Sequence, residues 1–154
     1  MHIQLSSPSF SSGQVIPVRH SCDGGDASPP LSWTGVPAGA KSLALICDDP
    51  DAPAGTWVHW VIYAIPPATT ELPEGVAAAE SGPGGARQGT NDFKRLGYGG
   101  PCPPAGKPHR YFFKLYALDQ EPALTPGATK RQLLDAMEDH VLGQGELMGT
   151  YQRQ

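Results

Sequence analysis

Three apolar runs, each enclosed by turn-forming residues, most constrain the fold of this chain. They cover residues 42–48 (SLALICD), 56–65 (TWVHWVIYAI) and 109–118 (HRYFFKLYAL). Runs of this length, rich in β-branched and aromatic residues and bounded by Pro, Gly or Asp, predict β-strands. Residues 3–5 and 31–33 are weaker strand candidates, and residues 66–108 are predicted to be mostly loop.

One helix is predicted near the C-terminus. Thr129 and Gln132 have the spacing of a capping box, in which each side chain bonds to the backbone amide of the other residue. Apolar residues then recur at helical spacing, at Leu134, Met137 and Val141, before two glycines that are expected to end the helix, Gly143 and Gly145. With no alternation of strands and helices, the pattern predicts a mainly β fold: an antiparallel β-sandwich with a few peripheral helices, built as one domain over residues 1–154.

Composition excludes several classes of function. The net charge is −4 and no basic patch is present, which argues against nucleic acid as a partner. No apolar run approaches the length of a membrane span. The N-terminus has neither a basic start nor a long apolar centre, so no signal peptide is predicted and a cytoplasmic location is expected.

The three cysteines form no recognisable framework. Their number is odd and no CxxC is present, so neither a disulfide framework nor a zinc site is predicted. Cys47 lies in an apolar run and is expected to be buried and inert. Cys22 and Cys102 lie in loops, and Cys102 is expected to be accessible but not catalytic.

Several polar residues interrupt the apolar faces of the predicted strands. Because side chains alternate along a strand, Asp49, His59, His109 and Tyr111 each continue a face that is otherwise apolar. On this reading Trp57, His59, Val61 and Tyr63 share one face, whereas Arg110 and Lys114 lie on the opposite, solvated face. Each polar residue alone has an ordinary explanation, such as a core His bonded to a carbonyl or an Asp capping a turn. Together they predict a site at one edge of the core.

Three segments resemble the signature segments of the phosphatidylethanolamine-binding protein family, in particular its bacterial Raf-kinase-inhibitor-like members. They are DGGDASPPLSW from Asp23, DDPDAPAGTWVHW from Asp48 and GPCPPAGKPHRY from Gly100. GARQGTNDF and LMGTY are also similar to that branch. The resemblance implies a β-sandwich with a small anion pocket near the edge of its central sheet. It also implies a set of ligand-binding residues: Asp49, Asp51, Pro53, Trp57, His59, Gly100, Pro101, Cys102, His109 and Tyr111.

The chemistry of this set is that of an anion site. Imidazole and phenol groups donate hydrogen bonds to phosphate or carboxylate oxygens. Asp49 or Asp51 is expected to orient a histidine, and Gly100 to let backbone amides approach the anion. The prolines of both loops are expected to hold the pocket in place before a ligand arrives. The resemblance further predicts a cis Ala52–Pro53 bond, although cis is the minority state for bonds that precede proline.

The predicted function is therefore a non-enzymatic binding protein for phosphate- or phosphoethanolamine-type groups. By the same resemblance it is a modulator or inhibitor of other proteins, such as kinases or proteases, and a homodimer. No cofactor is predicted. Two alternatives stay open: a hydrolase that uses Cys102, His109 and Asp49, and a metal site of two histidines, His59 and His109, with one carboxylate.

Overall fold

The computed structural model describes residues 2–154 as two antiparallel sheets and one α-helix. The strands are β1 (Gln4–Ser6), β2 (Leu31–Thr34), β3 (Ser42–Asp49), β4 (Trp57–Ile65), β5 (Glu71–Leu72), β6 (Arg87–Gln88), β7 (His109–Leu118) and β8 (Val141–Tyr151). The helix is α1 (Lys130–Met137), and short 3-10 turns cover Val18–His20 and Pro83–Gly85. One sheet has the order β1-β2-β5 and the other β6-β4-β3-β7-β8.

The larger sheet separates two hydrophobic clusters. Its inner face packs on the small sheet through residues such as Leu45, Phe113 and Trp33. Its outer face is covered by α1, whose Leu133 and Met137 pack against this face of the sheet. The antiparallel sandwich is therefore confirmed. Five apolar residues of the long central strands are fully buried: Leu43, Leu45, Val61, Phe113 and Leu115.

A β-bulge in β4 changes the faces that simple alternation predicts. Cys47 pairs with Trp60 but Asp48 pairs with Val58, so His59 is an extra residue in the ladder. His59 and Trp60 consequently both lie on the inner side of the sheet. The prediction that Val61 and Tyr63 share the face of His59 is wrong, because both belong to the outer cluster.

The C-terminal segment differs most from the sequence prediction. The capping box is present, since the amide of Gln132 donates to Thr129 Oγ1 and the amide of Thr129 donates to Gln132 Oε1. The helix ends at Met137, however, and Val141 begins β8, an eleven-residue strand that pairs along the whole length of β7. Gly143 and Gly145, which the sequence pattern predicts to end the helix, are inward-facing residues of this strand.

Two further predictions about the loops are wrong. Cys22 and Cys102, which are 80 residues apart in sequence, form a disulfide, whereas Cys47 is a buried free thiol as expected. The Ala52–Pro53 bond is trans. Within residues 2–154, no helix has the length and apolar character needed to span a membrane.

Candidate ligand-binding site

A pocket of about 150 Å³ opens where β3 ends and β4 and β7 begin. Asp49 is the last residue of β3, and Trp57 and His109 are the first residues of β4 and β7, so the three strand ends meet here. The lining consists of Asp49, Ala52, Pro53, Trp57, His59, Phe93, Cys102, Pro103, Pro104, His109 and Tyr111. Seven of the ten residues in the predicted set are among these.

Asp49 orients His109. The Nδ1 atom of His109 lies 2.7 Å from Asp49 Oδ2, and the amide of Asp51 donates to the other carboxylate oxygen, Asp49 Oδ1. Asp49 is 3% exposed, so its charge is held by these two donors rather than by water. The interaction directs Nδ1 of His109 towards Asp49 and leaves Nε2 as the ring nitrogen for a ligand.

Two buried donors of the pocket have no partner. Tyr111 Oη and the indole Nε1 of Trp57 make no hydrogen bond to any atom of residues 2–154. Burial, followed by the charge of Asp49, raises the pKa of Tyr111 far above its usual value, so its hydroxyl keeps its proton. An unsatisfied buried donor costs roughly 1 to 3 kcal/mol, and native structures contain few of them. Both groups therefore have hydrogen-bonding capacity that residues 2–154 leave unused.

His59 forms another aromatic wall of the pocket, and its burial favours the neutral form of the ring. Its Nδ1 lies 2.6 Å from the carbonyl oxygen of Gly99, and its ring meets that of Tyr111 edge-on at 5.1 Å. Burial lowers the pKa of His59 below 6.5, and the carbonyl of Gly99 opposes that shift only in part. The neutral ring donates through Nδ1, so its Nε2 is an acceptor rather than the second imidazole donor that the sequence suggested.

Acidification is expected to destabilise the fold through His59 and His20. Burial lowers the pKa of both side chains below the unfolded value of 6.5, so the native state binds fewer protons than the unfolded state. Their contribution to stability is complete above pH 6.5 and falls as the pH drops below it, by at most about 1.4 kcal/mol per pH unit and group. Urea unfolding at pH 7.5 and 5.5 measures this loss. It should shrink in His59→Gln but persist in the variant of an exposed histidine, His2→Gln; an equal loss in His59→Gln would contradict the assignment.

Phe93 and Ala52 are lining residues that the sequence did not indicate. The ring of Phe93 packs edge-on against Trp57 at 5.5 Å and His59 at 5.4 Å. A buried Asn91 fixes this loop, because its Oδ1 accepts from the amide of Phe93 and its Nδ2 donates to Gly97 O. The sequence does contain a signal for Phe93. Asn side chains often bond to the backbone two residues on, and Asn91 stands two residues before the one aromatic residue of a polar loop.

Three predicted residues lie outside the pocket. Asp51 forms a bidentate ion pair with the exposed Arg110, and the hydrogen bond from Arg110 lowers the pKa of Asp51 to about 2. The amide of Gly100 donates to Asp26 Oδ1, so it is not directed at an anion. A Cβ on Gly100 would lie 2.2 Å from His20 O, so the glycine serves close packing of two loops. Pro101 accepts the amide of Cys22 through its carbonyl oxygen.

The alternative chemistries fit this geometry poorly. Cys102 lines the pocket, but its sulfur is bonded to Cys22 and is not a free nucleophile. The described part of the chain holds no group of three or more His, Cys, Asp or Glu side chains arranged for a metal ion. Nδ1 of His59 and Nδ1 of His109 are both engaged, with Gly99 and Asp49 respectively.

Comparison with known proteins gives consistent matches over the whole chain. A UPF0098 protein of Methanothermobacter thermautotrophicus is 57% identical over 151 residues, which cover 98% of this chain and 99% of that protein. A UPF0098 protein of Aquifex aeolicus is 48% identical, covering 98% and 89% respectively.

Two crystal structures share the fold. A putative phosphatidylethanolamine-binding protein homolog from Chlamydia trachomatis superposes with a TM-score of 0.90 at 44% identity, with 99% of each chain covered. YbcL of Escherichia coli, described as a member of the mammalian PEBP family, gives a TM-score of 0.92 at 35% identity with both chains fully covered. The family model of the phosphatidylethanolamine-binding proteins matches residues 6–152. This chain therefore belongs to the phosphatidylethanolamine-binding protein family.

Proposed function

We propose that this protein is a non-enzymatic binder of small oxyanions of the phosphate and phosphomonoester type. The observation that carries the proposal is the pair of buried donors without a partner, Tyr111 Oη and Trp57 Nε1, in one pocket. Both can only improve their hydrogen bonding by meeting an acceptor, and oxyanions are the strongest acceptors among common small ligands. Membership of a ligand-binding family supports the same conclusion.

The other residues of the pocket indicate which kind of oxyanion the pocket suits. His109 offers Nε2 on one side, and His59 offers a neutral ring with an acceptor nitrogen on the other. This combination suits an oxyanion that retains one proton or carries an amine, as phosphoethanolamine does. The volume of about 150 Å³ accommodates a head group rather than a lipid chain. Apolar walls from Pro53, Pro103 and Phe93 exclude water and strengthen the polar contacts.

The functional test is a comparison of two tyrosines on opposite faces of β7. Tyr111→Phe removes the pocket hydroxyl and should weaken binding of phosphate or phosphoethanolamine by about tenfold or more, since hydrogen bonds to charged groups contribute roughly 1.5 to 3 kcal/mol. Tyr116→Phe, on the outer face, should bind as the wild type does. Calorimetric titration measures both affinities.

Stability provides an independent check on the same variants. Because the hydroxyl of Tyr111 is unsatisfied in the free protein, Tyr111→Phe should unfold at an equal or higher urea concentration than the wild type. His109→Ala should weaken binding by a similar factor through loss of Nε2. Wild-type affinity in Tyr111→Phe and His109→Ala would place any bound anion elsewhere.

Protein partners, quaternary structure and location are finer predictions. A partner that presents a phosphorylated side chain would engage the same donors, and a kinase or protease partner is a prediction from the family resemblance. The homodimer likewise stays a prediction. The cytoplasmic location does too, and the Cys22–Cys102 disulfide bears on it because disulfides persist chiefly in oxidising compartments.

A further inference from the structure

The Cys22–Cys102 disulfide forms part of the pocket wall. Cys102 lines the pocket together with His109 and Tyr111, and both cysteines are solvent-exposed residues. The bond connects the loop after Val18–His20 to the proline-rich segment before β7. A reductant in solution can therefore reach a bond that is itself a wall of the proposed binding site.

Residues 102–104, which contribute to this pocket wall, have few other attachments to the rest of the protein. Pro101, Pro103 and Pro104 have no amide hydrogen, so three of four consecutive residues cannot donate backbone hydrogen bonds. On one side the amide of Cys22 donates to Pro101 O, at 3.0 Å. On the other side Ala105 and Gly106 pair with the C-terminal end of the chain, through a bridge to Arg153 and a hydrogen bond from Gln152. Between them the disulfide is the one covalent tether that holds residues 102–104 to the neighbouring loop.

We propose that this disulfide is a reversible thiol–disulfide exchange site through which a dithiol reductant weakens anion binding in the pocket. The proposal rests on the proposed function, since it regulates that same site. One thiolate of the reductant attacks a sulfur of the bond, forms a mixed disulfide and releases the other cysteine as a thiolate. The second thiol of the reductant then resolves the mixed disulfide. The reductant leaves as its own disulfide, and the two electrons and two protons it supplied remain on Cys22 and Cys102.

The charges around the bond select the sulfur that is attacked. Arg153 Nη1 lies 3.8 Å from Cys102 Sγ and stabilises the negative charge that develops there. The nearby carboxylate of Asp23 is itself paired with Nη2 of Arg153, at 3.2 Å, and accepts the Tyr151 hydroxyl, so the guanidinium is the charge that acts on the bond and it lies at the Cys102 sulfur. Cys102 is therefore the leaving group, and the mixed disulfide forms on Cys22.

Reduction weakens the anion site in two ways. Residues 102–104 lose their covalent tether, so ordering them again on binding costs conformational entropy. The Cys102 sulfur, neutral in the disulfide, becomes a thiol whose ionised form lies in the wall of an anion pocket and repels the ligand. Coupling between two such events commonly changes affinity by about fivefold or more.

The test titrates inorganic phosphate into the full chain with and without dithiothreitol, by calorimetry, while a thiol reagent counts free cysteines. The oxidised protein should bind phosphate with one buried thiol, and the reduced protein should bind at least about fivefold more weakly with three thiols. Cys47→Ser, which removes the buried thiol, should behave as the wild type in both states. The double variant Cys22→Ser, Cys102→Ser should bind as the reduced protein does, whether or not dithiothreitol is present.

The outcomes separate the two proposals. If the oxidised wild type binds no phosphate, the proposed function fails. If it binds phosphate equally well before and after a complete change in thiol count, the switch is overturned and the proposed function stands. Trapping the reaction with 2-mercaptoethanol and mapping the adduct by mass spectrometry should place it on Cys22, and an adduct on Cys102 would overturn the assigned direction of attack.

Discussion

Gly145→Ala is expected to destabilise the protein by about 3 kcal/mol, the upper range for overpacking a filled core. Gly145 faces inward in the middle of β8, where residue 3 of the N-terminal segment crosses the strand. An ideal Cβ at this position would lie 2.2 Å from the carbonyl oxygen of Ile3 and 3.1 Å from its Cβ. The added methyl must displace this backbone, which also breaks the hydrogen bond from the Ile3 amide to Gln144 O.

Equilibrium urea unfolding, followed by tryptophan fluorescence, measures the change. The matched control is Gly39→Ala, where the nearest atom to the new Cβ is a side-chain carbon of Leu142 at 3.8 Å, an ordinary contact. That variant should stay within about 0.5 kcal/mol of the wild type. A Gly145→Ala protein as stable as Gly39→Ala would show that the N-terminal segment does not pack on β8.

The same glycines explain why β8 could not be read from the sequence. Inward positions of this strand are Gly143, Gly145, Leu147, Gly149 and Tyr151, so the period of two is present. Three of the five are glycine, a residue that strands usually avoid. At Gly145 and Gly149 the space that a side chain would need is filled by residues of the N-terminal segment: Ile3, Phe10 and Ile16. A local propensity was overridden by a tertiary contact more than 130 residues away, which no local pattern contains.

The binding site likewise combines features that local strand patterns predict with features that only the tertiary structure determines. Asp49, His109 and Tyr111 could be predicted because they follow strand alternation, and the structure brings them together. His59 was also predicted there, on the face of Trp57, but the bulge at His59 shifts the alternation beyond it, so Val61 and Tyr63 lie on the outer face instead. The Cys22–Cys102 pairing depends on two loops meeting across 80 residues, and an odd number of cysteines gave no indication of it.

Lys130→Met is expected to cost about 3 kcal/mol, because it leaves a buried carboxylate without its counter-ion. Asp48 is 2% exposed on the outer side of β3, and its Oδ2 lies 2.7 Å from Lys130 Nζ at the first residue of α1. The pair thus attaches the helix to the sheet. Arg131→Met is the control, since Arg131 is largely exposed and its contact with Asp135 is 3.7 Å. It should change the free energy of unfolding by less than about 0.5 kcal/mol.

A second variant separates the missing charge from the missing packing. Replacing both partners, as Asp48→Leu with Lys130→Met, removes the buried charge and should recover most of the lost stability. If the double variant is no more stable than Lys130→Met, the buried carboxylate is not the cause of the lost stability.

Phosphate titration of the same proteins also tests the position of the binding site: Lys130 and Arg131 lie on the outer face of the sheet, away from Tyr111 and His109. Affinity should therefore be unchanged in Lys130→Met and Arg131→Met, and a loss in both would move the anion from the strand ends to the start of α1.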